Sequence, residues 1–295
     1  MGKSLPGMAG VGLTRRQLGL GLFTSIAGWH FPAIAAPDQR VAALDWGLAE
    51  SILAVGIAPF AVAEAPLYAD RVVEPALPKA TIDLGLRSWP SLERLEAIRP
   101  DLIVAQAGYG ISPERLAKIA PTVALPLYNE QRQPLMRAQE AIRDLSGRLG
   151  KTASANAYLD RFTDEQHRLA QRISGLGGTR PMLIIKFADD RLIDIYGRGS
   201  LFCDVLESIG LKCAWQGQTN AWGFTTAGLD AVARYPDAHI LVIKPGPPAL
   251  MESALWRALR AVAKKRVTMV EPAWVFGAMP SALRFANLVT KALAG

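Results

Sequence analysis

Histidine and cysteine are scarce in this chain, with three and two in 295 residues. Two cysteines are too few for a structural zinc or iron–sulfur site. His30, His167 and His239 are not spaced as metal ligands: His167 lies among charges on a helical stretch and His239 in an apolar strand-like run. No Gly-x-Ser-x-Gly elbow, Walker A loop or complete Gly-x-Gly-x-x-Gly follows a strand-like run. Gly108-Tyr109-Gly110 and Gly197-Arg198-Gly199 each lack the third glycine, and Cys203 has no evident histidine partner. An enzyme is therefore the weaker class of reading. Dense Lys/Arg blocks are missing too. The formal charge is +7, but the first 37 residues hold Lys3, Arg15 and Arg16 and no acid. Without them 30 basic residues face 26 acidic ones, a charge of +4 that argues against a nucleic-acid partner. What remains is ordinary globular composition, 50% hydrophobic and 20% charged, long enough to bury a sizeable core.

The front of the chain reads as an export signal over residues 1–35. Thr14-Arg15-Arg16-Gln17-Leu18 is a twin-arginine pattern, followed by a mainly apolar run to Ile34. Ala33-Ile34-Ala35 supplies a small-x-small cleavage site, with cutting expected after Ala35. Gly19, Gly21, Thr24, Ser25, Gly28, His30 and Pro32 make that run a poor membrane-spanning helix. With no cysteine at the cleavage point and no later spanning run, the mature chain is expected to be soluble and periplasmic. In that compartment Cys203 and Cys213 are compatible with a disulfide, or equally with two buried thiols.

Beyond the signal, short β-type runs alternate with helical patterns. The strand candidates are Val41–Leu44, Ile82–Leu84, Leu102–Ala105, Val123–Leu125, Met182–Phe187, Ile240–Ile243 and Val267–Val270. Helical periodicity occupies Ala49–Val55, Leu92–Ile98, Pro113–Ile119, Leu135–Leu149, Leu201–Ile209, Leu229–Arg234, Ser253–Val262 and Ser281–Leu293. This alternation predicts an α/β fold of mainly parallel sheets flanked by helices, a class that binds ligands at loop ends. Between the halves, Ser154–Ser174 places Ala157, Leu159, Phe162, Leu169 and Ile173 among charges, which predicts one long connecting helix. The expected organisation is an N-lobe at 38–137, a helical region with the connecting helix at 138–176, and a C-lobe at 178–295. A weak repeat supports two related lobes. Leu92-Glu93-Arg94-Leu95 leads to Pro100-Asp101 and a strand, and Leu229-Asp230-Ala231-Val232 leads to Pro236-Asp237 and another. Glu93 and Asp230 sit where helix N-termini favour acids in any case, but one per lobe makes a two-point docking surface attractive.

The loops hold aromatic residues beside glycine and arginine: Leu86-Arg87-Ser88-Trp89, Ala107-Gly108-Tyr109-Gly110, Asn220-Ala221-Trp222-Gly223 and Ala273-Trp274-Val275-Phe276-Gly277. Trp222 and Trp274 stand in loop-like contexts, where a buried core role is less expected than for most tryptophans. Arg87 is either a surface charge or a forked donor in a partly dry, aromatic-lined cleft.

Taken in order, these segments resemble the periplasmic ferric hydroxamate siderophore-binding proteins of ABC importers. The likeness runs through Val41–Trp46, Ile82–Arg87, Ala107–Gly110 with Ser112-Pro113-Glu114, and Leu116–Pro121. It continues through Gly199–Phe202, Ala214–Gly217, Thr219–Gly223 and Pro272–Trp274, besides the twin-arginine leader. The resemblance implies a monomeric, bilobal, non-enzymatic protein that captures a ferric siderophore and delivers it to an inner-membrane ABC permease with its ATPase. It implies that Arg87 and Tyr109 bind the hydroxamate oxygens and that Trp222 and Trp274 pack on the ligand, with Asn220 nearby. Trp46 in the first matching segment, together with Phe276 and Arg71, completes the implied ligand-binding set. Glu93 and Asp230 occupy the positions of acids that meet permease arginines. Because the siderophore saturates its iron, the protein needs neither metal ligands nor a cofactor. Two departures bear on the ligand: Arg71 stands near a family tryptophan position, and Phe276 stands for a tyrosine. Arg71 is either a solvated charge or a hint of a more anionic ligand such as a citrate hydroxamate. Another chelate, haem or a cobalamin, and a periplasmic enzyme acting on the siderophore are the rival readings.

Overall fold

Two runs of short apolar strands build two separate sheets, and helices fill the sequence between their members. The computed structural model describes residues 39–244 and 246–294; the twin-arginine segment and its cleavage site lie outside the described residues. The first half runs β1 (Val41–Ala43), α1 (Trp46–Ala54), β2 (Ala61–Val62), α2 (Ala65–Arg71), β3 (Ile82–Asp83), α3 (Leu92–Ala97), β4 (Leu102–Gln106), α4 (Pro113–Leu116) and β5 (Thr122–Leu125). Its five strands lie in the order β3-β2-β1-β4-β5, all pairs parallel. β1, β2 and β4 are buried along their whole length, as parallel strands covered on both faces must be. Two helices follow, α5 (Pro134–Arg148) and α6 (Thr152–Ser174).

At 23 residues α6 is about 35 Å long. Its buried stripe is Ala155, Leu159, Phe162, Leu169 and Ile173, so Ala155 takes the place expected of Ala157, which is exposed. The stripe repeats at three, four and seven residues and gives one apolar face, which packs on α5 and the last helix.

The second half runs β6 (Met182–Phe187), β7 (Ile193–Tyr196), α7 (Leu201–Ser208), β8 (Phe224–Ala227), α8 (Asp230–Ala233), β9 (His239–Ile243), α9 (Pro248–Met251), α10 (Ala254–Ala258), α11 (Arg260–Ala263), β10 (Val267–Val270) and α12 (Met279–Ala294). Its sheet has the order β10-β9-β6-β7-β8. Here the parallel expectation needs correction: β7 is antiparallel to both β6 and β8. A tight turn reverses the chain after β6, closed by Asp189 Oδ1 accepting from the amides of Arg191 and Leu192 at 2.7 and 2.8 Å. The helix expected over Ser253–Val262 is broken into α10 and α11 at Leu259, whose extended backbone (ψ 126°) interrupts the winding.

The largest apolar core is one continuous cluster fed by both sheets. It includes Val41, Trp46 and Tyr128 from the first half, Phe162 from α6, and Tyr196, Trp274 and Phe285 from the second. Cys203 and Cys213 are joined as a disulfide, closing a sequence separation of 10 beside Tyr196. His239 is half-buried, with its ring nitrogen 2.7 Å from Thr268 Oγ1, and His167 is exposed on α6. Among the described residues no helix is long and apolar enough to cross a membrane.

Candidate functional site

In a parallel sheet the chain leaves every strand at the same edge, and that edge is where ligands bind. The first sheet sends four functional side chains there: Asp45 after β1, Glu64 after β2, Arg87 after β3 and Tyr109 after β4. Asp45 caps α1, its carboxylate accepting from Leu48 N at 3.0 Å. It is fully buried, and burial raises its pKa against the opposing pull of that amide and of Arg87. Glu64 adopts a left-handed backbone (φ 56°, ψ 40°), which a side chain tolerates only where the surroundings enforce it. Its carboxylate accepts from Arg87 Nε at 2.8 Å.

Arg87 is thus fixed from several sides. Its guanidinium lies 3.9 Å from the centre of the Trp46 ring and 4.7 Å from that of Trp274. Glu64 occupies Nε, and among the described residues the two terminal nitrogens have no hydrogen-bond acceptor. A planar donor pair is therefore held by cation–π contact and one ion pair, with its outer edge unspent.

Opposite it stands an aromatic shell. Tyr109 meets Trp222 edge-on at 5.7 Å, and Trp222 stacks on Tyr128 at 5.3 Å and 26°. Phe276 closes on Trp222, Phe224 and Trp274 at 5.3, 5.7 and 5.4 Å. Asp45, Arg87, Tyr109, Trp222, Phe224 and Phe276 together line a cavity of about 210 Å³. A larger hollow of about 540 Å³ lies elsewhere, between α6 and α12. Its lining of Arg172, Arg284, Lys291 and apolar helix residues lacks the convergent aromatic and forked-donor groups, so the smaller cavity is the candidate site.

The structure brings Arg87, Tyr109, Trp222 and Phe276 together and sets the other expected residues apart. Trp274 is 6% exposed and Trp46 1%, so Trp274 lies one layer deeper than its loop-like context implied and Trp46 is covered as well. They back Arg87 instead of lining the cavity, because a large indole is most stable when its apolar area is covered. Trp46 Nε1 donates to Ala63 O at 2.8 Å, whereas the buried Trp274 Nε1 has no partner among the described residues. Asn220 is exposed, and its Oδ1 accepts from the amides of Trp222 and Phe224 at 2.9 and 3.3 Å. It shapes the loop that presents Trp222 and does not line the cavity. Arg71, at the end of α2, also stands outside the lining set.

Tyr128, Asp45, Glu64 and Phe224 escaped the sequence reading. An acid just after a strand and before a helix was the available signal for Asp45, while Tyr128 carries no local one. Tyr128 also ties the halves together, its hydroxyl donating to Gly277 O at 2.8 Å. Arg132 makes a second tie, its guanidinium donating to Thr219 Oγ1 and O at 3.2 and 2.9 Å, in the segment leading to Trp222. The site offers forked and phenolic donors over aromatic faces, suited to a bulky ligand with partial negative charge on clustered oxygens.

A protein-family model described as "Periplasmic binding protein" matches residues 41–273. The chain is 35% identical over 290 residues to the iron(3+)-hydroxamate-binding protein FhuD of Escherichia coli, covering 96% of this chain and 97% of that one. It is 26% identical over 250 residues to the Fe(3+) dicitrate-binding periplasmic protein FecB of the same organism, covering 79% and 77%. Among solved structures, Vibrio cholerae FhuD bound to Fe3+-Desferal superposes with a TM-score of 0.83 at 29% identity, over 88% of this chain and 98% of that one.

Proposed function

Because the chain belongs to the periplasmic binding protein family, we propose that it captures ferric hydroxamate-type siderophores in the periplasm and delivers them to an inner-membrane ABC permease powered by its ATPase. The observation that carries this reading is the pairing of Arg87, its terminal nitrogens unspent, with Tyr109 over an aromatic wall. Hydroxamate oxygens on ferric iron keep partial negative charge. Arg87 meets them with charge-assisted hydrogen bonds worth roughly 1.5–3 kcal/mol. Tyr109 adds about 1 kcal/mol. The siderophore itself holds the iron, so the protein acts as a binder and not as an enzyme.

On this reading the two sheets act as lobes, 38–137 and 178–295, about the helical region 138–176. Export follows the twin-arginine route with removal of 1–35, and the mature protein works as a monomer. Glu93 lies in the first turn of α3 and Asp230 begins α8, both exposed, and they serve as docking points for permease arginines.

Titration with a panel of ferric hydroxamates, followed by tryptophan fluorescence, tests the ligand class. Quenching is expected with the wild type, and Arg87→Ala is expected to weaken binding roughly 10–100-fold. No response to any ferric hydroxamate, or a response only to haem or a cobalamin, removes the assignment. Recovery of the ligand chemically altered after incubation points to an enzyme instead.

A further inference from the structure

The segment between β5 and α5 reaches across to the second half through Tyr128 and Arg132, and both contacts bear on Trp222. Tyr128 stacks on the Trp222 ring at 5.3 Å and 26°. Arg132 holds the chain just before that ring, its guanidinium donating to Thr219 Oγ1 and O at 3.2 and 2.9 Å. Thr219 Oγ1 in turn donates to Arg198 O at 2.7 Å. The next residue, Asn220, builds the loop itself. Its Oδ1 accepts from the amides of Trp222 and Phe224, and its carbonyl accepts from Gly223 N at 3.0 Å. The stem of Arg132 packs on Gly199, where a Cβ would stand 2.8 Å from Arg132 Cβ and 3.1 Å from its Cγ. Gly199 is also the backbone that Gly223 lies against. Arg132 therefore touches both the chain that leads into the Trp222 loop and the backbone beneath it.

The shape of the segment that carries these two side chains is imposed. Arg132 has a left-handed backbone (φ 55°), which a side chain adopts only where the surroundings enforce it. Asn129 closes the turn, its Oδ1 accepting from Gln131 N at 3.0 Å and its carbonyl from Arg132 N at 3.1 Å. Arg132 is half-buried and does not line the aromatic cavity. Its influence on a ligand therefore runs through the loop that it holds. A forked guanidinium suits this task, because it reaches the hydroxyl and the carbonyl of one residue at once.

We propose that Arg132 is a positioning residue for Trp222, a clasp from the first half that, together with Tyr128, fixes the indole where a ligand meets it. This rests on the hydroxamate reading above and adds a determinant of affinity that lies outside the cavity. The test is a double-mutant cycle on ferric hydroxamate binding, run beside hydrogen exchange on the ligand-free protein. Arg132→Met is expected to weaken binding roughly tenfold, and Arg132→Lys, which keeps a donor for one of the two oxygens, by less. Trp222→Leu is expected to weaken it by a similar factor, and the double variant no further, because both changes remove the same contact. In Arg132→Met the amides of Trp222, Gly223 and Phe224 are expected to exchange faster, while those of α6 keep their wild-type rates. If Arg132→Met fails to fold, Arg132→Lys with Trp222→Leu completes the same cycle. Losses that multiply in the double variant, or unchanged exchange at the three loop amides, overturn the clasp and leave the hydroxamate reading standing. A wild type that binds no ferric hydroxamate removes that reading, and the exchange rates then decide the clasp by themselves.

Discussion

Gly223 shows how strictly one position can be set by its surroundings. It follows Trp222 with φ 79°, and a Cβ there would sit 2.1 Å from Ser200 N and 2.3 Å from the Gly199 carbonyl carbon. Neither contact is with a flexible side-chain end, so the backbone of the loop or of the α7 N-terminus would have to move. Gly223→Ala is expected to cost at least about 1–3 kcal/mol through the left-handed backbone alone, lowering the thermal midpoint and weakening ligand binding together. A midpoint unchanged in calorimetry would show that this approach of loop to helix is not required. Arg87 illustrates the complementary point. A guanidinium held between two indoles and a carboxylate has already lost most of its freedom, so little further ordering entropy opposes binding.

At the level of elements, the notable joint is between α1 and α12. Glu50 of α1 is fully buried, and its carboxylate accepts from Ser281 Oγ at 2.6 Å and from the amides of Ala278 and Ser281. It thereby supplies the acceptor for the N-terminus of α12 from a helix over two hundred positions earlier in the chain. Burial pushes Glu50 up to about 8, although all three donors favour its ionised form. Below the ordinary carboxylate value of 4.5 the folded and unfolded states both hold the proton. As pH rises from there to about 8, the unfolded chain ionises first and native stability falls. Asp204 of α7, which accepts from Leu135 N at the start of α5, adds the same sign with its pKa raised to about 6. Glu50→Gln should therefore flatten the decline in thermal midpoint between about pH 5 and pH 8. Parallel profiles for the two proteins would mean that Glu50 stays ionised throughout.

Across the whole molecule, the continuous core and the Tyr128, Arg132 and Glu50 ties bind the two halves so closely that closure around a ligand must be small. A rigid body then presents Glu93 and Asp230 at a nearly fixed separation whether loaded or empty. Both acids are exposed, and neither lines the cavity. Glu93→Lys with Asp230→Lys is expected to leave the affinity for ferric siderophore within about twofold, a difference below 1 kcal/mol, while abolishing uptake in a transport assay. Normal uptake by the double variant would remove the docking role.

The sequence by itself determined the alternation of strand and helix, the long α6 and the loops that carry Arg87, Tyr109, Trp222 and Phe276. These follow from local periodicity and from the apolar runs that parallel strands need. It also carried the resemblance that the family match bears out. It did not show β2, β7 or β8. β2 is two residues long, and β8, Phe-Thr-Thr-Ala, is too polar to read as buried. Only tertiary structure decided that Trp46 and Trp274 stand behind Arg87, that Asn220 shapes a loop, and that Tyr128 stacks on Trp222. Each of these is set by which distant side chain covers it, and burial is a property of the packed neighbours that local patterning does not encode.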